Sequence, residues 1–179
     1  SPQFSVSEDF STGMVPKFNS DGEIAPAVVP IISDGELVNT LVSSRTAAEY
    51  NTSTNFAESG EYLRSPKMEP GNLRKDDVIN RIDTGLYLSN IHYLNWSDNP
   101  GGRITGLTRY ACFWVKGGEI QGPINTMRFD DTFYKYFGDN LEQVGEETEL
   151  IPNTSTYGNR EIGGTICPGV LASSFALTL

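Results

Sequence analysis

The single histidine is the first residue whose type could do chemistry. His92 lies in "SNIHYLNWSD", and the chain contains 1 His and 2 Cys. A zinc-protease helix of the His-Glu-x-x-His kind needs two histidines, and one His with two distant Cys gives at most three nitrogen or sulfur ligands. A Ser or Cys hydrolase could use His92 as its base, but the sequence has no Gly-x-Ser-x-Gly elbow. His92 is therefore either a strand or loop histidine with satisfied hydrogen bonds or a candidate substrate-binding residue.

Charged and aromatic side chains supply the other candidates. Arg128 and Asp130 occur in "MRFDD", where a carboxylate beside a guanidinium forms a structural ion pair that fixes a helix start or, alternatively, binds substrate. Arg109 and Arg103 follow several aromatic residues and could form a stacking surface with them, although a half-buried sheet face explains the same pattern. The candidate substrate-binding residues are thus His92, Arg109, Arg128 and Asp130. The residues predict no catalytic group and no metal ligand.

Bulk composition excludes several classes of protein. The net charge of −10, from 13 basic and 23 acidic side chains, repels nucleic acid unless the basic residues gather on one face, and here they are scattered. No apolar run approaches the roughly 18 residues of a membrane span. The Gly-rich segment 99–106 lacks the Gly-x-x-x-x-Gly-Lys-Ser/Thr pattern, so it predicts a hairpin turn and no phosphate site. Two cysteines do not make a disulfide scaffold and indicate free thiols in a reducing compartment.

Repeated turn signals predict the elements that position these residues. Gly117-Gly118 and Asp34-Gly35 are both suited to two-residue hairpin loops, whose central residues need positive φ. The first loop predicts that Lys116 lies opposite Glu119 as a charge pair. It also predicts one buried face with Val115 opposite Ile120, Phe113 opposite Gly122 and Ala111 opposite Ile124. The second loop predicts Ile32 opposite Leu37 and Ile31 opposite Val38. Both faces of this second hairpin are apolar, so we expect both to be covered, either by helices or by another domain.

Helical signals are fewer and shorter. The spacing predicts helices over 74–83, over 130–145 with Asp130 as the N-cap, and a short one over 44–50. Segments 51–72 and 151–164 are polar and turn-rich, which predicts surface loops. We therefore expect a mainly β (α+β) fold: an antiparallel sheet or barrel-like domain built from hairpins, with two or three short helices, forming a single domain over residues 1–179.

The order of these segments resembles the C-terminal part of the TldD/PmbA family. "TGLTRYACFWVKGGEIQGPI" followed by "MRFDD" matches the family's hairpin and the segment after it, and "SPKMEPGNL" matches an upstream motif. The likeness is collinear over nearly the whole chain. Members are known as candidate modulators of DNA gyrase and are regarded as metallopeptidases. The resemblance implies a cytoplasmic, hydrolase-related protein that works with peptide or protein substrates as a homo- or heterodimer with a family member.

The resemblance also implies where the metal chemistry lies. The family's metal-binding helix precedes the matched region, so zinc would need upstream residues and we expect no cofactor in this chain. Some members add a Cys to the metal from a position that falls near 151–158, where this sequence has "IPNTSTYG" and no Cys. Cys167 does not match that position. The sequence thus favours the partner type without metal, cut from a longer protein and not active alone.

Two functions remain open at this stage. The first is a C-terminal domain that walls the substrate cleft and forms a subunit interface, capturing an extended peptide by strand addition at an edge marked by Gly122 and Pro123. The second is a stand-alone β-rich binding module for a protein partner or carbohydrate, using Tyr93, Trp96 and Trp114.

Overall fold

Strands dominate the fold, with 42% of residues in strands and 14% in helices, which confirms the mainly β (α+β) prediction. A computed structural model of the chain describes residues 1–178. The strands in chain order are β1 (Val6–Asp9), β2 (Val28–Ser33), β3 (Glu36–Leu37), β4 (Pro66–Met68), β5 (Gly85–Leu88), β6 (Ile91–Asp98), β7 (Arg103–Thr108), β8 (Cys112–Lys116), β9 (Glu119–Pro123), β10 (Arg128–Thr132), β11 (Leu141–Pro152), β12 (Gly164–Ala172) and β13 (Leu177–Thr178).

Helical elements are short. The α-helices are α1 (Ser44–Tyr50) and α2 (Val78–Ile82), with 3₁₀ turns at Phe10–Thr12 and Lys75–Asp77 and a π-helical turn at Lys135–Asp139. The Ser43 hydroxyl caps α1 and Asn51 ends it in the left-handed conformation, as predicted for 44–50. The helix predicted over 74–83 is confirmed in shorter form. No helix among the described residues is long and apolar enough to cross a membrane.

The described strands form three sheets. Their strand orders are β11-β12-β4-β1-β2-β3, β13-β10-β7-β6, and β5-β8-β9. The chain divides into two compact units: an N-terminal unit (Pro2–Pro70 with Thr148–Pro168) and a central unit (Gly71–Glu147 with Ser1 and residues 169–178). Each unit has its own apolar core. Phe10 packs edge-on against Phe56 in the N-terminal unit, and Phe129 packs with Ile104 and Tyr136 in the central unit.

The hairpin β8–β9 forms around the predicted loop. Gly117 and Gly118 both have positive φ, Lys116 lies opposite Glu119, and Val115 lies opposite Ile120. A β-bulge then shifts the register, so that Gly122 lies opposite Trp114 instead of the predicted Phe113. The extra residue in β9 moves each later partner by one position and ends the common face. β9 is an edge strand, as Pro123 indicated.

The hairpin β2–β3 has the predicted register but not the predicted burial. Ile32 lies opposite Leu37, and the Val38 N–H donates to Ile31 O at 2.9 Å. Leu37 is nevertheless 67% exposed, because β3 is the edge of its sheet and none of the described residues covers it. Helices of the described residues therefore do not cover both faces, and cover by another domain stays a prediction.

The predicted helix over 130–145 is wrong. Arg128–Thr132 is strand β10, and the chain continues through the π-helical turn into β11. Gly138 interrupts the turn with φ −106 and ψ −110, which are not helical values. Phe133 and Phe137, whose spacing of four residues favoured a helix, do stack on each other, with ring centroids 5.7 Å apart. Asp130 therefore lies within a strand and does not cap a helix.

Segment 51–72 is more structured than its polar composition predicts. It contains β4, and Phe56, Ala57, Arg64 and Ser65 are buried in it. Segment 153–163, by contrast, is a loop, as predicted for most of 151–164.

Candidate functional site

A groove of about 590 Å³ lies in the N-terminal unit and is open to solvent. One wall is the segment that leads into β4, and the other is the end of β11, the loop after it and the start of β12. Its lining residues are Tyr62, Leu63, Arg64, Pro66, Ile151, Pro152, Asn153, Thr154, Ser155, Glu161, Ile162, Gly164 and Thr165.

A backbone hydrogen bond joins the two walls of the groove: the Gly164 N–H donates to Arg64 O at 3.0 Å. Within the second wall, the Asn153 N–H donates to Gly163 O at 3.0 Å. Gly163 has φ +99, and a Cβ built on it would lie 2.1 Å from Arg64 O. Only glycine fits that close approach and that backbone conformation. The groove therefore has a fixed width at this junction.

A buried polar network supports the first wall from behind. Both carboxylate oxygens of Glu8 accept backbone N–H bonds, from Arg64 and from Ser65, each at 2.6 Å. The Arg64 guanidinium donates to Phe56 O at 2.7 Å, pairs with Glu58 at 3.2 Å, and lies over the Phe56 ring at 4.7 Å. Burial raises the pKa of Glu8 and outweighs the lowering effect of these two N–H bonds.

The second wall ends in a loop that is held by polar contacts. The Asn153 amide donates to Glu161 at 2.5 Å, its Oδ1 accepts from the Ser155 N–H at 3.1 Å, and Arg160 donates to Asn153 O at 3.0 Å. The groove thus has apolar side chains such as Tyr62, Leu63, Ile151 and Ile162 beside hydroxyl, amide and carboxylate groups. Such a mixture suits a ligand with an apolar body and a hydrogen-bonding backbone.

Three of the sequence-predicted residues share one face of the central unit's four-stranded sheet. Leu107 on β7 lies directly opposite His92 on β6 and Arg128 on β10. Asp130 lies opposite Thr105, two residues away along β7 and therefore on the same face. His92, Arg128 and Asp130 thus lie on a common open surface, but they do not line the groove.

Asp130 has its ionic partners within this sheet. Its carboxylate pairs with Arg103 at 2.6 Å and with Arg128 at 3.9 Å, and it accepts from the Ser97 hydroxyl at 3.2 Å. The ion pair predicted between Arg128 and Asp130 is present, but Arg103 makes the closer contact. These ion pairs support the interpretation that Arg128 and Asp130 in "MRFDD" form a structural ion pair.

Arg109 lies just beyond the end of β7. Its N–H donates to Asn90 O at 3.1 Å, and its guanidinium lies 5.6 Å from the centroid of the Tyr110 ring. The aromatic residues expected to form a binding surface belong to different sheets. Tyr93 and Trp96 are on β6, and Trp114 is on β8. Trp96 also packs with Phe133 at 5.4 Å.

Both cysteines are free thiols among the described residues. Cys112 is buried and its Sγ contacts Arg109 O at 3.2 Å, whereas Cys167 is partly exposed and burial raises the pKa of its thiol. Within residues 1–178 no three His, Cys, Asp or Glu side chains group to hold a metal ion. The side chains described here therefore do not fit the zinc centre that the resemblance attaches to the family.

The groove itself was missed by residue-by-residue reasoning. Its walls come from two segments about 90 positions apart, and each looks like a surface loop in the sequence. The signal that could have found it is the number of apolar residues in otherwise polar segments, Tyr62 and Leu63 in one and Ile151 and Ile162 in the other. The resemblance pointed to 151–158 for a different reason.

Solved structures share this fold. They include a candidate modulator of a DNA gyrase from Thermotoga maritima (TM-score 0.75, 16% identity, covering 99% of this chain and 39% of that one) and TldE from Thermococcus kodakarensis (0.79, 16%, 99% and 40%). A candidate modulator of DNA gyrase from Bacteroides thetaiotaomicron is a third (0.65, 15%, 99% and 37%). The chain thus spans about two fifths of the length of these proteins. At such identities the likeness shows the fold alone.

Sequence comparison identifies the family directly. No curated protein sequence gives a significant match. The family model described as the PmbA/TldA metallopeptidase C-terminal domain matches residues 1–178, which is the whole described chain. This match confirms the resemblance to the TldD/PmbA family drawn from the hairpin motifs. The chain therefore belongs to the PmbA/TldA metallopeptidase C-terminal domain family.

Proposed function

We propose that this domain walls the substrate cleft of a TldD/PmbA-type protein and holds an extended peptide in its groove. The observation that carries the proposal is the groove between Tyr62–Pro66 and Ile151–Thr165. Its exposed apolar side chains would be buried by the side chains of a bound peptide, at roughly 25 cal/mol for each Å² removed from water. The polar residues among its lining can form hydrogen bonds with the peptide's N–H and C=O groups.

The family resemblance supports the same location. The position at which some members supply a metal-binding Cys falls near 151–158, and Ile151 to Ser155 line the groove. This chain has Asn153, Thr154 and Ser155 there. Their side chains can form hydrogen bonds, but they are poor zinc ligands, and this stretch contains no His or Cys. We propose that the domain holds peptide and leaves bond cleavage, and any zinc, to residues outside this chain.

Peptide titration tests this role. A fluorescein-labelled, unstructured octapeptide rich in Leu and Ser is titrated with the 179-residue chain, and anisotropy is recorded. We expect saturable binding that Ile162→Asp weakens at least tenfold, because a charge in an apolar contact region must be desolvated. The control is Ile24→Asp, an exposed residue of the same unit that does not line the groove. Equal affinity of both variants and the wild type would place the peptide elsewhere.

The exposed edge strand β6 supports the second proposed role, pairing with another family subunit. All eight residues of β6 are exposed, and β6 ends its sheet. An antiparallel, two-fold pairing of β6 with a second copy centred on Asn95 would place His92 opposite Asp98 and Leu94 opposite Trp96. That register joins a basic with an acidic residue and buries two apolar side chains, which suits an isologous interface.

Sedimentation velocity tests the interface. We expect the wild-type chain to show a concentration-dependent dimer and Leu94→Lys to be monomeric, because a lysine on an edge strand opposes strand pairing. Leu37→Lys, on the edge strand β3 of the other unit, is the matched control. A wild-type monomer at all concentrations, or dimers of equal strength in both variants, would contradict the proposed β6 pairing.

Carbohydrate or protein binding by a stand-alone module remains the alternative proposal, and exposure of Tyr93 and Trp96 on β6 favours it. A glycan array followed by titration of Trp fluorescence separates the two. Specific glycan binding that is lost in Trp96→Ala would favour the module. The family also leads us to propose a cytoplasmic location. His92, Arg109, Arg128 and Asp130 stay candidate substrate-binding residues under this alternative, since none of them lines the groove.

A further inference from the structure

A carboxylate on β1 holds one wall of the groove although it does not line it. Glu8 is 1% exposed and receives the N–H groups of Arg64 and Ser65 at 2.6 Å each. Hydrogen bonds to an ionised carboxylate are shorter and stronger than those between neutral groups. These two bonds fix the backbone of the segment just before β4.

The same segment is the junction between the two walls. The Arg64 N–H donates to Glu8, and the Arg64 carbonyl oxygen accepts from the Gly164 N–H. The backbone of Arg64 therefore connects Glu8 to the opposite wall. Ser65 is fully buried, and its hydroxyl donates to Asp9 O at 2.6 Å. Any movement of Glu8 would therefore be passed to Arg64 and then to Gly164.

We propose that Glu8 is the positioning residue of the groove: its carboxylate sets the separation of the two walls and thereby the affinity for an extended peptide. The inference rests on the proposed function for its ligand, but its structural half does not depend on any ligand. Glu58 is the matched control, because its carboxylate pairs with the Arg64 side chain and not with the Arg64 backbone N–H.

Protonation of Glu8 would weaken this positioning. A neutral carboxyl retains one good acceptor oxygen for two N–H groups. The charged group that acts on Glu8 is the Arg64 guanidinium, which is itself paired with Glu58. Asp9 and Lys67 pair with each other and belong to the other face of the sheet, because Lys67 lies opposite Ser7. On β2, Val29 lies opposite Glu8 and carries no charge. Since burial raises the pKa of Glu8 above 4.5, the groove should loosen at a pH where exposed glutamates are still ionised.

The experiment compares Glu8→Gln with Glu58→Gln in the 179-residue chain. Glutamine keeps the shape of Glu8 but turns an NH₂ group towards one of the two backbone N–H donors. Amide hydrogen exchange is measured at Arg64, Ser65 and Gly164, and affinity is measured for the fluorescein-labelled Leu/Ser octapeptide. We expect Glu8→Gln to speed exchange at all three amides and to weaken the peptide about tenfold, and Glu58→Gln to do neither.

A wild-type measurement keeps the proposal falsifiable if Glu8→Gln fails to fold. The side-chain carboxyl carbon of Glu8 and the amides of Arg64, Ser65 and Gly164 are followed by NMR as the pH is lowered. We expect all of them to titrate together and the peptide affinity to fall over the same range. The inference would be overturned if the three amide signals did not change as Glu8 titrates. It would also be overturned if a folded Glu8→Gln variant exchanged these amides as slowly as the wild type. Tight amides with no peptide binding would instead refute the proposed function alone.

Discussion

The Arg64 carbonyl oxygen and the Gly164 N–H form a 3.0 Å hydrogen bond that ties together two segments 100 residues apart. The other polar groups of Arg64 have partners in the same N-terminal unit: its N–H donates to Glu8, and its guanidinium donates to Phe56 O and pairs with Glu58. The groove is consequently a pre-formed feature, and its tolerance of substitution can be predicted position by position.

Gly163 is the position where we expect the greatest sensitivity. A Cβ there would lie 2.1 Å from Arg64 O, and φ is +99. Gly163→Ala should cost more than the ~1–2 kcal/mol of a left-handed residue, because backbone must also move. Gly158→Ala is the control, since Gly158 also has positive φ but no atom within 4 Å of its added Cβ. Urea unfolding of the two variants compares them, and equal losses would contradict the contact.

Tyr136 offers a stabilising substitution. Its hydroxyl is buried with no hydrogen-bond partner among the described residues, and its ring stacks on Phe175 at 5.1 Å. Tyr136→Phe keeps the ring and removes an unsatisfied group that costs about 1–3 kcal/mol, so we expect higher stability by about 1 kcal/mol or more. Tyr134→Phe, at an exposed position, should be neutral. A loss of stability in Tyr136→Phe would reveal a partner for the hydroxyl.

The same tyrosine should ionise late. Burial, followed by the nearby Asp131 and Asp130 carboxylates, raises the pKa of Tyr136 to about 12. In a spectrophotometric titration of the 8 tyrosines, we expect one to ionise near pH 12 and to disappear from the curve of Tyr136→Phe. An unchanged curve would show that Tyr136 ionises with the others.

The lowered pKa of Asp9 predicts how the free energy of unfolding changes at acidic pH. The Ser11 hydroxyl, and to a lesser degree Lys67, hold the pKa of Asp9 below its ordinary 3.8. The folded protein thus binds this proton less readily than the unfolded chain, so the stabilisation is complete above pH 3.8 and is lost as the pH falls through the lowered value. Asp9→Asn should be less stable at pH 7, and the difference should shrink towards pH 2. Thermal unfolding against pH measures it, with the exposed Glu36→Gln as baseline.

Asp130 tests whether the sheet face is structural or binds substrate. Its pair with Arg103 is partly exposed, so Asp130→Asn should cost no more than ~1 kcal/mol, and less at 1 M salt. If the residue only positions Arg103, octapeptide affinity stays at the wild-type value. A tenfold loss of affinity without loss of stability would make Asp130 a substrate contact and would favour the sheet face over the groove.

The sequence by itself determined the hairpins and the family. Gly117-Gly118 and Asp34-Gly35 form their loops because positive φ at consecutive positions is a local property of those residues, and Lys116 meets Glu119 because the loop length fixes the first pairs. The turn and motif series was also enough to predict the mainly β fold and the family that the comparison confirmed.

Only the tertiary structure decided the rest. The segment predicted as a helix over 130–145 forms instead the end of β10, a π-helical turn and the start of β11. Pairing of residues 130–132 with β7 outweighs the local helix preference. The bulge in β9, the exposure of Leu37 and the burial of Glu8 depend equally on neighbours distant in sequence. The groove exists because Arg64 and Gly164 meet, and no local pattern of residues encodes a contact that spans 100 positions.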